Sequence, residues 1–556
     1  MTPQVCSNPD LSSGSVFGGQ VNSKRAKNSH KLVLGRIVMK PSRTLNGVGM
    51  DLWKERINSF RIGTDQLWLA VICASFLFFT SLIPLIPNDF WWHLKIGEII
   101  FQERSIPSTN IFAWTITRDQ PFTYGAWLGE LLFYAIYRIG NLEVLIFLRN
   151  LFTLLAFWLV AIEAKRKSGS WRLAALVVTF AWLMSFNNLA VRPQIWSWLP
   201  FLAYLIVLGG FVDGRISKSW LWSLPLIMVF WVNAHGAFIL GVVLIGMYFT
   251  GELLARLLRL PAAISWNSVK WLGLIGLITI IAAVINPQGV HIVDYVIDLI
   301  TDPPSQGLIG EWQSPTPQGV TNIAFFLSIL ILIIALAICS CRLTISETIL
   351  IAGFLWLGWS GQRYIIWYAL AVMPVLAKIL ANLRFKFSGL KVRKNRMNLL
   401  LASAVFLPAI LVQPWFVDGF PLPQTYWDFV VRESPDGPPI SRNNPVSAVD
   451  YLSSHPGGNL FNEMGYGSYL IWALPEGSVF IDPRVELYPF EHWEDYIHIS
   501  QAKRYKQLLA KYDVDRILLD KTLQSELAEA LALDPSWKEE HEDRSAQIWK
   551  KIDDSQ

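Results

Sequence analysis

The stretch "IPNDFWWHLKIGEII", residues 86–100, sets an acid, two indoles and an imidazole directly after an apolar run. Asp89 lies two residues past Pro87, which closes that run. A carboxylate fixed beside a wet cavity at a membrane surface suits general-base work on an acceptor hydroxyl or amine, or the holding of a metal. The same residues are also good capping chemistry, since acids favour helix N-termini. Local sequence favours the cap, and the two roles are compatible. Trp92 and His93, with Trp91, suit a sugar site, because indole faces stack on the apolar side of a pyranose. A Trp-rich membrane protein also places indoles at headgroup level, where His93 would only hydrogen-bond to headgroups.

Further polar residues interrupt apolar surroundings. Glu130 shares a helical face with Trp127 and Tyr134 and has no basic residue three or four positions away. It therefore either faces a cavity or snorkels. In "NNLAVRPQIW", Arg192 and Gln194 flank a proline that can start the next helix. Arg363 stands in "GQRYIIWY". An arginine at a span mouth can grip a lipid-linked phosphate bidentately or snorkel outward. Asn233 and His235, in "WVNAHGAF", belong either to a tight hairpin or to a cavity floor. Glu311, in "GEWQSP", closes a long loop and serves either a site or a helix cap. Asp482 and Arg484 in "VFIDPRVELY" read first as a turn with a local salt bridge. His93, His235 and His291 are scattered singly, so no zinc spacing is present. A divalent metal is not indicated.

The elements that must position these residues are membrane helices. Of 556 residues, 53% are hydrophobic and only 16% charged, too few charges to cover a soluble protein of this length. Uncharged windows such as "NIAFFLSILILIIALAICS" are long enough to span a bilayer. Eleven spans are predicted, near 66–86, 142–162, 171–187, 194–212, 220–234, 236–256, 271–285, 323–341, 346–360, 364–382 and 398–416. Residues 125–140 are apolar but short. If they lie in the interface, the tail, Lys165–Lys167 and the cluster "RFKFSGLKVRKNR" all face inward, as the positive-inside rule requires. That reading makes them an outer interfacial helix, with residues 91–102 as its partner. The polar residues above then cluster on the outer side around a cavity.

The fold class predicted is a polytopic α-helical membrane protein with a small C-terminal extracytoplasmic α/β domain. Residues 1–65 read as a disordered basic cytoplasmic tail, 66–416 as the transmembrane domain, 417–444 as a Pro-rich linker draped on the membrane, and 445–556 as the α/β domain. In that last part "GNLFNE", "SVFID" and "VDRILLD" are the predicted strands. The first long apolar run starts too late for a cleavable signal. The four cysteines are spaced for neither a disulfide framework nor a metal cluster. The net charge of +5 does not argue for nucleic acid, because in a membrane protein the position of basic residues matters more than their sum.

The segments "PNDFWWHLKIGEIIFQERSIPSTNIFAWT", "QPFTYGAWLGELLFY", "RPQIWSWLPF", "WVNAHGAFILG", "INPQGVHI", "EWQSP" and "FNEMGYGSYLIW" through "VFIDPRVELY" resemble a broad bacterial family of multispanning proteins. That family is similar in layout to GT-C membrane glycosyltransferases of the protein O-mannosyltransferase and lipid A aminoarabinose transferase type. The resemblance implies a cytoplasmic N-terminus, a first outer loop with two juxtamembrane helices, and an essential acid after the first span, here Asp89. Arg192 or Arg363 would then serve the donor phosphate. Two departures are Asn88, where such enzymes often pair a second acid, and Asn110, where the family often has an acid. They leave metal use open, and leave Glu98, Asp119 and Glu130 as candidates for the second acid. The reading reached is inverting transfer of a sugar from a polyprenyl-phosphate donor, with membrane lipids and an unidentified acceptor as further partners, at the outer face of the cytoplasmic membrane. The alternative is a non-enzymatic assembly or binding protein that uses its outer domain. Truncation near Gly437 is expected to separate the two. A transporter would show internal repeats, and none is found.

Overall fold

The computed structural model describes residues 63–383, 395–474 and 478–552. The N-terminal tail, apart from its last residues, and most of the basic cluster at 384–396 lie outside the described residues.

Helices dominate. In chain order they begin α1 (Thr64–Ser81), α2 (Phe90–Glu103), α3 (Trp127–Ser168), α4 (Trp171–Leu183), α5 (Ile195–Val212), α6 (Ser223–Ala234), α7 (Ile239–Leu257) and α8 (Trp266–Ala282). After the short α9 (Ile292–Thr301) and α10 (Pro303–Leu308) come α11 (Gly319–Ile338), α12 (Ile345–Ser360), α13 (Ile365–Ala381) and α14 (Asn395–Leu411). A helix stands at each of the eleven predicted positions. Among the described residues, five stretches are long and apolar enough to cross a membrane: Trp127–Ser168, Ile195–Val212, Gly236–Leu257, Gly319–Ile338 and Gln362–Ala381. Several other apolar helices are shorter, at 10–17 residues.

α3 is two helices joined end to end. Gly140 and Asn141 leave helical geometry, with φ of 54° at Asn141, so residues 127–139 are set apart from 142–168. The break falls where the short apolar segment was expected to end. At the far end of α3, Lys167 reaches Glu347 at 3.2 Å, and Glu347 also holds Lys378 at 2.6 Å, which ties the ends of α3, α12 and α13 together.

Close backbone approach locks α2 onto the first part of α3. A Cβ on Gly97 would lie 2.1 Å from the carbonyl oxygen of Glu130 and 2.9 Å from Tyr134 Cβ. Gly129 meets the Ala234 carbonyl oxygen in the same way, at 2.5 Å. Both positions exclude any side chain, so α2, α3 and the end of α6 pack at backbone distance.

Beyond α14 the chain is more ordered than a draped linker. It forms α15 (Gln424–Trp427) and an antiparallel hairpin of β1 (Val430–Arg432) and β2 (Pro439–Ser441). Then follow α16 (Val446–Ser454), β3 (Leu460–Asn462), α17 (Met464–Ala473), α18 (Phe490–Ser500), α19 (Tyr505–Lys511), β4 (Arg516–Asp520), α20 (Ser525–Ala532), β5 (Trp537–Glu542) and β6 (Ala546–Lys551). The sheet order is β3-β4-β6-β5, with β3 parallel to β4 and the other pairs antiparallel. The expected strand at "SVFID" does not form. Val479 makes only an isolated bridge to Ala113 in the first loop. The sequence reading also missed β5 and β6; β5 lies at the sheet edge and its residues are largely polar.

That Val479 bridge is one of several stitches between residues 85–126 and the C-terminal region. Trp114 N donates to Val479 O at 3.0 Å, and Trp114 Nε1 to Leu460 O at 3.2 Å. Trp91 Nε1 donates to Asn444 Oδ1 at 2.8 Å. Ser441 N donates to Leu85 O at 2.8 Å. One buried apolar cluster runs through α2, the first part of α3 and the C-terminal sheet and helices. The bundle helices have a separate core.

Gly97→Ala should lower stability by about 1–3 kcal/mol, the usual cost of forcing extra volume into a packed contact. A thermal-unfolding midpoint of the detergent-solubilised protein equal to wild type would contradict the packing described.

Candidate active site

A cavity of about 1050 Å³ opens between the helix bundle and the C-terminal region. Its polar end is built from the segments the sequence singled out. Asp89, Trp92 and His93 come from the start of α2, Glu130 from α3, Arg192 and Gln194 from the turn before α5, and His235 from the α6–α7 junction. Glu311 and Arg363 come from the loops ahead of α11 and α13. Of the ten proposed site residues only Asn233 stands outside the wall. Its carboxamide is spent inside the protein, accepting from Trp127 Nε1 at 2.8 Å and donating to the carbonyls of Val229 and Ile285.

Asp89 takes the helix N-cap position, yet its carboxylate makes no capping bond. Asn88 does that work, its Oδ1 accepting from Phe90 N at 3.0 Å. The local-sequence preference for an aspartate cap is therefore corrected, and the cap falls to the neighbour. Asp89 is left to face the cavity, 3.7 Å from Arg192 Nε. Enclosure raises its carboxyl above the ordinary range, with Arg192 pulling the other way.

Glu311 sits between the two arginines. Arg192 donates to it at 2.8 Å, and Arg363 lies 3.8 Å from its other oxygen. Burial alone would raise Glu311, but the two guanidinium groups outweigh it and hold the carboxylate below the usual range. Arg363 also stacks on Trp312, 4.0 Å from the ring centre. Pairing of Gln362 N with Gln313 O at 3.0 Å, and of Gln362 Nε2 with Gly310 O at 3.0 Å, brings these two loops side by side.

His93 does not reach out to headgroups. It is 8% exposed, its Nδ1 lies 2.7 Å from Glu130 Oε1, and the Trp92 ring leans on it at 32° with ring centres 3.6 Å apart. Glu130 is fully buried and turned toward the cavity, so its partner comes from another helix and not from its own face. Of the other candidate acids, Glu98 pairs with Lys95 at 2.9 Å and Asp119 is exposed. Neither lines the cavity. Asn110 is a buried turn organiser. Its Nδ2 donates to Ala113 O at 2.7 Å and its Oδ1 accepts from Ala113 N at 3.0 Å, a pattern an ionised aspartate could not complete. Gln194 accepts from Asn188 at 3.3 Å, and His235 Nδ1 lies 2.8 Å from Ser197 Oγ. Among the described residues no group of three or more His, Cys, Asp or Glu comes together in a way that could hold a metal ion.

The C-terminal region supplies a wall that sequence reasoning did not place. Met464, Gly465 and residues 483–486 line the cavity. Asp482 and Arg484 form the expected local ion pair, but in a fully buried, bidentate form at 2.9 and 2.7 Å. Tyr488 donates to Asp482 at 2.6 Å, and Arg484 reaches Tyr124 of the first loop at 3.2 Å. Glu486 faces the same space, and burial pushes its carboxyl up to about 7. Because this wall belongs to the cavity, truncation near Gly437 removes part of the site as well and does not separate an enzyme from a binding protein.

From the polar end an apolar arm descends between α7 and α12. It is lined by Leu240, Val243, Met247, Gly353, Trp356 and Leu357. Val243 and Trp356 are exposed on the outer surface of the bundle.

No protein-family description matches the chain, and no curated protein matches it. Solved structures do. The archaeal oligosaccharyltransferase AglB from Archaeoglobus fulgidus, in complex with an inhibitory peptide and a dolichol-phosphate, is 12% identical with a TM-score of 0.50, over 85% of this chain and 70% of that one. The arabinofuranosyltransferase AftD from Mycobacteria is 12% identical with a TM-score of 0.50, over 89% of this chain and 41% of that one. ArnT from Cupriavidus metallidurans in the apo state is 15% identical with a TM-score of 0.45, over 87% and 97%. The chain shares the fold of AglB and AftD, a GT-C-like layout. With its long apolar helices, this GT-C-like chain is a multi-pass membrane protein.

Arg484→Ala should destabilise the protein by about 3–5 kcal/mol, since it strands Asp482 as an uncompensated buried charge. Asp482→Asn should act in the same direction. Unfolding midpoints unchanged from wild type in both variants would refute a structural role for the pair.

Proposed function

We propose that the protein is a membrane glycosyltransferase that moves a sugar from a polyprenyl-phosphate donor to an acceptor at the outer face of the cytoplasmic membrane in a bacterial cell envelope. The observation that carries this reading is the single cavity that joins Arg192, Arg363 and Asp89 at its polar end to an apolar arm between α7 and α12. An anionic headgroup on a long hydrocarbon chain has the two chemistries this space would bind. The arginines would stabilise the leaving phosphate, whose charge develops as the glycosidic bond breaks. Phosphate would compete with Glu311 for them. Asp89 would orient the acceptor, and Trp92 would offer its ring to the sugar. The dolichol-phosphate in the AglB complex agrees with such a donor.

The topology proposed has eleven crossings, with the N-terminal tail (1–65) in the cytoplasm and residues 66–416 as the membrane part. Residues 417–444 link it to an extracytoplasmic α/β region at 445–556. The lysines gathered at the end of the bundle opposite the cavity support this orientation. In it, residues 127–139 and α2 lie in the outer interface.

Reconstituted in nanodiscs, the protein should bind undecaprenyl phosphate. Arg192→Gln and Arg363→Gln should each weaken that binding by about 10- to 150-fold, as expected for loss of a charge-assisted contact worth about 1.5–3 kcal/mol. Asp89→Asn should leave the protein folded and bound to lipid while abolishing transfer from an undecaprenyl-phosphate sugar. Normal turnover in that variant rules out the role given to Asp89.

A further inference from the structure

Asp89 and His93 stand one turn apart on the cavity face of α2. Asp89 is engaged with Arg192, whereas His93 is held by groups that do not touch the arginines. Its Nδ1 meets Glu130 Oε1 at 2.7 Å, and its ring is clamped under Trp92. Nε2 has no partner among the described residues, and His93 lines the cavity. Glu130 Oε2 is buried without a partner either, so the carboxyl has one engaged oxygen and one that is idle. Gly97 is what brings the two helices close enough for this pair to form. A buried carboxyl that orients an imidazole lining a cavity, its second ring nitrogen left unpartnered, is the geometry of a general-base dyad.

We propose that His93, oriented by Glu130, is the group that accepts the acceptor's proton, and that Asp89 positions the acceptor and Arg192 instead. The proposal rests on the glycosyl-transfer reading above. In the step, the acceptor's oxygen or nitrogen forms a bond to the sugar's anomeric carbon. The bond from that carbon to the phosphate oxygen breaks, and its electron pair leaves with the polyprenyl phosphate. The acceptor's proton passes to His93 Nε2 while the Nδ1 proton shifts toward Glu130. Burial raises the Glu130 carboxyl well above the ordinary range, so the pair acts as a base only in the form that has lost that proton, with Glu130 ionised and accepting from Nδ1–H. The groups facing His93 act in the same sense. Burial, then His235, Arg192 and Arg484, hold its imidazole well below the ordinary range, so the imidazole stays uncharged and the proton the pair takes up rests on Glu130. Those groups come from every side of the ring: Glu130 from α3, His235 from the α6–α7 junction, Arg192 from before α5 and Arg484 from the C-terminal wall.

The test uses the full chain in nanodiscs with a panel of undecaprenyl-phosphate pentoses and hexoses, reading undecaprenyl-phosphate release against pH. Wild-type rate should fall on the acid side as the dyad takes up its proton. His93→Gln should lose about 100-fold or more in turnover, bind undecaprenyl phosphate within threefold of wild type, and lose the acid limb from what activity remains. Glu130→Gln, which keeps a hydrogen-bond acceptor for Nδ1–H, should move that limb to lower pH with a smaller loss of rate. Wild-type turnover in His93→Gln, or an acid limb retained in its residual activity, overturns the dyad and leaves the glycosyltransferase reading standing. A wild-type protein that neither binds undecaprenyl phosphate nor releases it from any charged donor overturns both. Should His93→Gln fail to fold, the Glu130→Gln profile decides: an unshifted acid limb overturns the proposal.

Discussion

The contact between Gly97 and the Glu130 carbonyl organises the rest of the molecule. Two helices can approach to backbone distance only where one of them lacks a side chain, and α2 does so against the first part of α3. That approach seats His93 on Glu130 and sends Trp91 to Asn444 in the C-terminal region. It also leaves the first turn of α2, with Asp89, at the cavity mouth. A bulkier contact would move α2 outward, and the loop, the C-terminal wall and the polar end of the cavity would move with it.

Charge in the cavity is distributed by pairing. Glu311 holds Arg192 and approaches Arg363, and Arg192 leans toward Asp89. A second pair, Asp482 with Arg484, is buried within the wall itself and closed by Tyr488 and Tyr124. The two arrangements differ in what they can do. The sealed pair has all its partners and cannot exchange them without a large desolvation cost. The Glu311 arrangement is half-open, with one long contact to Arg363 and an Arg192 Nε that lacks a hydrogen bond. Arginines held that loosely can turn to another anion, which is what a phosphate site needs.

The C-terminal region is part of the site. Its apolar core continues into α2 and the first loop, and residues 483–486 look into the same space as Asp89. The bridge from Val479 to Ala113 ties this region to the first loop.

Much of this was legible in the residues themselves. Apolar runs of membrane length, basic residues that punctuate one set of loops, and the break near Gly140 follow from side-chain transfer energies and backbone chemistry, which are local properties. The same holds for the choice of Asp89, His93, Arg192, Glu311 and Arg363, because an isolated polar group beside an apolar run is costly unless something receives it. What receives each group was decided only in three dimensions. Asn88 rather than Asp89 caps α2, and Asn233 turns away from the cavity while Glu486 turns into it. His93 finds Glu130 thirty-seven residues away across a helix contact. "SVFID" spends its hydrogen bonds on a loop instead of a sheet. These outcomes depend on which backbone is near enough to pair with. Local propensity carries no information about partners that are distant in sequence, so only the tertiary fold could settle them.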